Sequence, residues 1–293
     1  MRLLVLGATG MLGHRLVAEL APRFDVAAAS RGRPEAAPAA LAGSRQIGAR
    51  WIGGLDATDE AMLTDVLDRE RPDVVLNAAG VVKQRLGSGD VERAVAVNAL
   101  LPHRLARLCR GRGLRLIHFS TDCVFAGRPG DRRGADGYRE DDPAEPADVY
   151  GRSKLLGEPT GAGCLVLRTS LVGRELGSRH GLVEWFLAQG DGPVAGYTGA
   201  LFTGVTTAVV ARLVGELVDR HPRLDGTWHV AAAPIAKHDL LRLLGAAFRR
   251  PTEVRADDAV RCDRRLDGSR FRAATGWIAP SWERMIADLA THG

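Results

Sequence analysis

Over the first 170 residues, short uninterrupted apolar runs alternate with longer stretches whose apolar residues recur at helical spacing. The runs at 2–6, 25–29, 51–55, 73–80, 114–120 and 164–172 are too short and too continuously apolar for helices, and read as strands buried on both faces. Between them, the amphipathic stretches through Leu20, over 59–70, from Val91 to Gly111 and around Tyr150 read as helices. The second stops before Pro72, and the third is expected to bend at Pro102, where the ring removes a helical donor. Alternating strands and helices predict an α/β fold built on a doubly wound parallel sheet. Ligands in such sheets bind outside the C-terminal ends of the strands.

The remaining stretches are less regular. Residues 34–48 are rich in Ala, Pro and Gly and read as a loose surface segment. Residues 126–148 are dense in Gly, Pro, Asp and Arg, a long loop placed to close over a substrate. Beyond about residue 173 the pattern becomes a helix at 181–189, a Gly-rich segment at 190–204, a helix at 205–219, a short strand at 227–231, and helices around 237–248 and 281–291. This predicts a nucleotide-binding Rossmann domain over 1–170 and a smaller, α-rich substrate domain over 171–293, with some segments returning to the sheet.

Composition narrows the function classes. With 293 residues, 45% of them hydrophobic, the chain can bury a sizeable core. No apolar run reaches the roughly 18 residues of a membrane span, and the N-terminus enters a strand rather than a signal peptide, so residence in the cytoplasm away from any membrane is expected. Cys109, Cys123, Cys164 and Cys262 are scattered without metal-ligand spacing, which predicts free thiols and no metal site. The net charge of +5 is mostly Arg spread along the chain, which fits anionic small ligands and gives nucleic acid little weight.

Candidate chemistry sits at the strand ends. Gly7, Gly10 and Gly13, with Thr9, Met11 and Leu12 between them, follow the first strand and open a helix, the context in which a dinucleotide pyrophosphate meets backbone N–H groups. After the second strand stand Ser30, Arg31 and Arg33 and no acid; Arg there can accept a 2′-phosphate, which favours NADP(H) over NAD(H). Asp56 and Ala57 end the third strand, where a carboxylate can meet the adenine amino group or, alternatively, cap the next helix. Ala78, Ala79 and Gly80 end the fourth in small side chains suited to a flat cofactor ring. Tyr150 and Lys154 stand four apart, two of only three Tyr and three Lys in the chain, so a helix places them on one face. The ammonium would then favour the phenolate and lower the Tyr150 pKa, giving a proton donor usable near neutral pH.

Together, Gly7-x-x-Gly10-x-x-Gly13, Asn77-Ala78-Ala79-Gly80, Ser120-Thr121-Asp122-Cys123-Val124-Phe125 and Tyr150-x-x-x-Lys154 resemble the extended short-chain dehydrogenases/reductases. The Tyr150 to Glu158 and Leu167 to Ser170 runs narrow the resemblance to the dTDP-4-dehydrorhamnose reductase branch, which reduces a keto group of nucleotide-linked deoxysugars. The resemblance implies Tyr150 as general acid, Lys154 as holder of the nicotinamide ribose, Thr121 as donor to the carbonyl oxygen, and Asn98 as the residue that positions the lysine through a water. It implies Asp122 near the substrate and a homodimer through the helices bearing Asn98 and Tyr150. Cys123 departs from the aromatic residue usual in this branch, and the 126–148 loop is longer and more charged than usual.

For the nucleotide diphosphate-sugar, Lys83, Gln84, Arg174, His180, Trp185, Lys237, Arg261 and Arg264 are candidates beside Asp122 and Cys123, since a diphosphate takes Arg or Lys and a pyrimidine takes an aromatic face. Two rivals remain. An epimerase or dehydratase of the same fold would usually place acids beside the Thr, and Asp122-Cys123 offers one. A non-catalytic NADP-binding regulatory subunit would usually lose the Tyr or Lys, and both are present.

Overall fold

The structure, a computed structural model, describes residues 1–32, 48–83, 90–131, 136–177, 180–190 and 192–292. The apolar runs form strands β1 (Arg2–Leu6), β2 (Asp25–Ala29), β3 (Arg50–Ile52), β4 (Val74–Asn77), β5 (Arg115–Phe119) and β6 (Cys164–Arg168), joined by β10 (Gly226–His229) in one sheet of order β10-β6-β5-β4-β1-β2-β3. Every pairing in that sheet is parallel. Alternation along β1 explains the two layers. Leu3 and Val5 join the core under α1 (Gly13–Leu20) and α6 (Thr207–Arg220), whereas Leu4 and Leu6 join the core under α2 (Glu60–Glu70) and α3 (91–110).

Helix α3 starts at Val91–Ala94, passes through a π-helical segment Val95–Leu100 and continues as Leu101–Arg110. The irregularity lies just ahead of the expected bend, because Pro102 has no N–H for the Asn98 carbonyl four residues earlier. Helix α4 (Val149–Leu156) carries Tyr150 and Lys154 and is capped by Asp148, whose carboxylate accepts from the Gly151 N–H at 2.8 Å.

The run expected as one strand over 164–172 divides. It leaves the main sheet after Arg168, and β7 (Leu171–Val172) pairs instead with β9 (Val205–Thr206). Helices α5 (Leu182–Leu187), α7 (Lys237–Ala247) and α9 (Trp282–His292) fall near their expected places, with a further helix α8 (Ser269–Thr275). The part beyond residue 173 also carries strands that the pattern did not announce. In a three-stranded sheet, β8 (Val194–Phe202) lies between β11 (Ile235–Ala236) and β12 (Val254–Asp263). Gly196 and Gly199 make that packing possible: a Cβ at either would come within 3.0 Å of α7 or β12 atoms.

The loop expected to close over a substrate is pinned at Tyr138. Tyr138 is 3% exposed, stacks on Phe125 at 4.2 Å, and exchanges backbone hydrogen bonds with Arg265 and Asp267. Among the described residues no helix is long and apolar enough to cross a membrane, no metal-ligating cluster occurs, and the four cysteines are unpaired.

Candidate active site

A cleft of about 1010 Å³ opens at the C-terminal ends of β1 to β6 and is closed on its far side by β8, the start of α7 and the end of β12. At its floor Gly7 has φ +77°, and a Cβ at Gly13 would stand 2.1 Å from the Gly7 carbonyl oxygen. Only glycine permits so tight a turn from strand to helix. A Cβ on Gly7 would also meet the Ala79 backbone at 2.7 Å, so the turn and the end of β4 form one flat-walled cradle. Small residues, backbone N–H groups and this turn fit a dinucleotide.

Of the expected cofactor contacts, Gly7, Thr9, Gly10, Met11, Ser30, Arg31, Asp56, Ala57, Ala78, Ala79 and Gly80 line the cleft. Arg33 lies outside the described residues. Leu12 does not line the cleft: its apolar side chain goes into the core beneath α1. Asn98 is fully buried and does not line the cleft either. Its amide accepts from the Val81 N–H at 2.8 Å and donates to the Val81 carbonyl at 2.9 Å and to Ser153 Oγ at 3.1 Å. It therefore clamps the segment after β4 to α4. Asp56 does not cap α2, a role taken by Asp59. Its carboxyl is held below the usual range by hydrogen bonds from the Thr58 N–H and hydroxyl, with Arg31 and Arg93 adding attraction. Arg93, on α3, lines the same end and was not singled out by the sequence.

Thr121, Tyr150 and Lys154 lie together beneath the cleft rather than in its outer lining. Thr121 Oγ1 accepts from the Cys123 N–H at 3.1 Å and donates to Asp122 Oδ1 at 3.2 Å. Burial pushes the Tyr150 phenol above its ordinary value, Cys123 adds to this, and a hydrogen bond with Thr121 opposes it. The expected lowering by Lys154 is absent, because the two side chains share a helix face without sharing a direction. Lys154 Nζ turns to β5, donates to the Phe119 carbonyl at 2.7 Å and lies 3.3 Å from His118 Nε2. Its own pKa is pulled down to about 8 by burial, with Glu158 opposing. A buried amine seeks acceptors, and the strand end supplies them.

Around the triad, Glu158 and Arg168 form an ion pair at 2.7 Å with both side chains 7% exposed, and Ser120 Oγ donates to the same carboxylate at 2.5 Å. Asp122 is raised by burial, with Arg264 opposing. Burial also pushes the Cys123 thiol to about 12. Arg264 reaches the Phe125 carbonyl at 3.0 Å and Cys123 Sγ at 3.5 Å.

Among the expected substrate contacts, Asp122, Cys123, Lys237 and Arg264 line the cleft. Lys237 faces the Tyr197 ring at 5.8 Å, and burial lowers its pKa. Lys83, Arg174 and Trp185 do not line it. Lys83 pairs with Asp148 at 2.8 Å, Arg174 is held by Glu184 against the Phe248 ring, and Trp185 is 39% exposed on α5. His180 and Arg261 are also outside the lining, and Gln84 is outside the described residues. Glu175, which accepts from the His180 and Gly181 N–H groups at 2.9 Å, lines the cleft without any sequence signal. His118 was missed although a titratable residue inside an apolar strand is itself a signal.

A dinucleotide cradle at the switch point of a parallel sheet, with Thr, Tyr and Lys beneath it, defines an extended short-chain dehydrogenase/reductase fold and site. The chain belongs to the family described as RmlD substrate binding domain, whose family model matches residues 1–292. It is 35% identical, over 61% of its length and 60% of the relative's, to a "probable low-salt glycan biosynthesis reductase" of Haloferax volcanii. It is 38% identical to a dTDP-4-dehydrorhamnose reductase of Streptomyces griseus over 54% of this chain and 43% of that one. The matched regions thus span about half the length of these relatives. In structure it resembles a dTDP-4-dehydrorhamnose reductase of Bacillus anthracis solved with NADP, with TM-score 0.80, 21% identity, and 100% and 99% of the two chains covered.

Proposed function

We propose that the protein reduces a keto group of a nucleotide-linked deoxysugar with NADPH. The observation that carries this reading is a single cleft that holds the glycine cradle and the cations Lys237 and Arg264, with Thr121, Tyr150 and Lys154 directly beneath it. The relatives named as dTDP-4-dehydrorhamnose reductases support it. Bound at the cradle, NADPH would supply the hydride. Tyr150 donates a hydrogen bond to the carbonyl oxygen and gives it a proton as charge develops, and the Thr121 hydroxyl turns from Asp122 to donate to the same oxygen. The raised phenol keeps that proton on Tyr150 until the oxygen needs it. Lys237 and Arg264, at the cleft end away from the cradle, suit a diphosphate. The part beyond residue 170 is thus read as the substrate-binding part.

Arg31 and Arg93 beside the ribose end support a preference for NADPH over NADH. Such chemistry fits the cytoplasm, where that reductant and nucleotide sugars are made. A second copy of the chain is the proposed partner. Val91, Val95 and Leu100 of α3 and Val149 and Leu156 of α4 are all exposed, an apolar surface that a homodimer would cover. The test is NADPH oxidation with a panel of nucleotide-linked keto-deoxysugars, with NADH as control. Turnover is expected on at least one, and NADPH binding without turnover on any would overturn the reading.

A further inference from the structure

Behind Lys154 the interior of the sheet holds a chain of polar side chains that none of the chemistry above uses. Asn77 and His118 are 1% and 0% exposed, on adjacent strands β4 and β5 in direct register. Asn77 Oδ1 accepts from the Ala79 N–H at 3.3 Å, which turns the other end of the amide toward the imidazole: Nδ2 lies 3.1 Å from His118 Nδ1. An amide NH₂ can only donate, so Nδ1 accepts, and a neutral imidazole then carries its proton on Nε2. That Nε2–H faces Lys154 Nζ at 3.3 Å. An ammonium has three donors and no acceptor, so a charged Lys154 opposes this N–H. An uncharged amine accepts from it while still donating to the Phe119 carbonyl.

We infer that His118, oriented by Asn77, is a positioning residue that donates from Nε2 to Lys154 and favours the uncharged amine. Every polar atom in the chain from the Ala79 N–H to the Phe119 carbonyl is then paired, which a buried network requires. The surrounding titratable groups agree or are accounted for. Burial keeps His118 well below its ordinary value and hence neutral, and Lys154 in its protonated fraction and His103 of α3 act in the same sense. Glu158, beyond the end of α4, and the Phe119 carbonyl favour the protonated Lys154, and Tyr150, a turn earlier, stays neutral through burial. Lys154 therefore titrates in the working range instead of acting as a fixed charge.

This inference rests on the reductase reading for its consequence, but its test does not. With only three lysines in the chain, selective ¹³C labelling at lysine Cε gives three signals, and Lys154→Met identifies the one that matters. In the wild type this signal is expected to titrate near about 8. In His118→Gln the amide is free to turn its oxygen to the ammonium, which the pinned imidazole cannot, so the midpoint is expected to rise by about one unit or more. Asn77→Asp accepts from Nδ1–H, moves the imidazole proton and is expected to raise it too. A midpoint unmoved or lowered in the folded variants overturns the inference. The wild type gives an independent reading: ¹⁵N signals of the His118 ring are expected to show the Nε2–H tautomer, and the Nδ1–H tautomer overturns it. If no keto-sugar is reduced, the reductase reading fails and these results still stand or fall alone. If turnover is found, the pH limb of kcat is expected to move upward with the Lys154 midpoint in His118→Gln.

Discussion

Replacing Glu158 by Leu removes one partner of a pair that the fold has buried on both sides. Arg168 gives Glu158 three contacts, from Nε at 2.9 and 3.2 Å and from Nη2 at 2.7 Å. After the change its guanidinium keeps, among the described residues, the Glu140 carbonyl at 3.5 Å, the His229 ring at 3.4 Å and the Phe125 face at 5.4 Å. These are long contacts with neutral groups, and with the side chain 7% exposed water cannot replace the lost carboxylate. Breaking a buried pair on one side costs about 3–5 kcal/mol. Because Ser120 also loses its acceptor, the upper half of that range is expected. At roughly 2 °C per kcal/mol for a chain of this size, the melting temperature falls by about 8–10 °C. Urea unfolding followed by circular dichroism, run on Glu158→Leu, Arg168→Met and the double variant, measures the coupling. The double variant is expected to be more stable than Glu158→Leu alone, since it no longer buries a lone charge. A loss below about 1 kcal/mol in the single variant, or a double variant less stable than Glu158→Leu, would refute the argument.

Three further outcomes bear on the site. Tyr150→Phe is expected to keep NADPH affinity and lower turnover by roughly two to four powers of ten, measured by steady-state reduction; near-normal turnover would remove Tyr150 from the mechanism. Arg31→Ala is expected to weaken NADPH binding roughly 10- to 100-fold by titration calorimetry, with NADH affected much less. Lys154, lowered to about 8 when folded against about 10.5 unfolded, binds its proton less well in the native state. The unfolded chain thus holds more protons between those values, and stability rises with pH across that window. Lys154→Met should accordingly be stabilised relative to the wild type most below pH ~8 and progressively less toward pH ~10.5, and a difference that does not change over the window would count against the burial argument.

The parallel sheet was legible because β1, β4 and β6 are continuous apolar runs, too short for a buried helix and therefore read as strands buried on both faces. The glycine turn and the Tyr150/Lys154 spacing were legible for the same reason, as both are local. What stayed hidden depends on distant partners. Strand β8 contains Gly196 and Gly199, which weaken any strand signal, and their purpose appears only when α7 and β12 pack against them. Strand β12 is largely exposed and polar, without an apolar stripe. Arg174 looked available until Glu184, ten residues later, came to its side. The direction of Lys154 is set by the carbonyl of Phe119 and the ring of His118, thirty-five residues away, and helical spacing carries no information about that.

Strand β10 and helix α6 come from the part of the chain read as substrate-binding, yet β10 completes the main sheet beside β6, and α6 covers Leu16, Val17 and Leu20 of α1. The two parts therefore cannot be severed. A polypeptide stopped at Thr169 would present β6 as an open edge and strip one face of its own nucleotide-binding layer. Any exchange of segments between relatives therefore has to leave residues 205–230 with the host sheet.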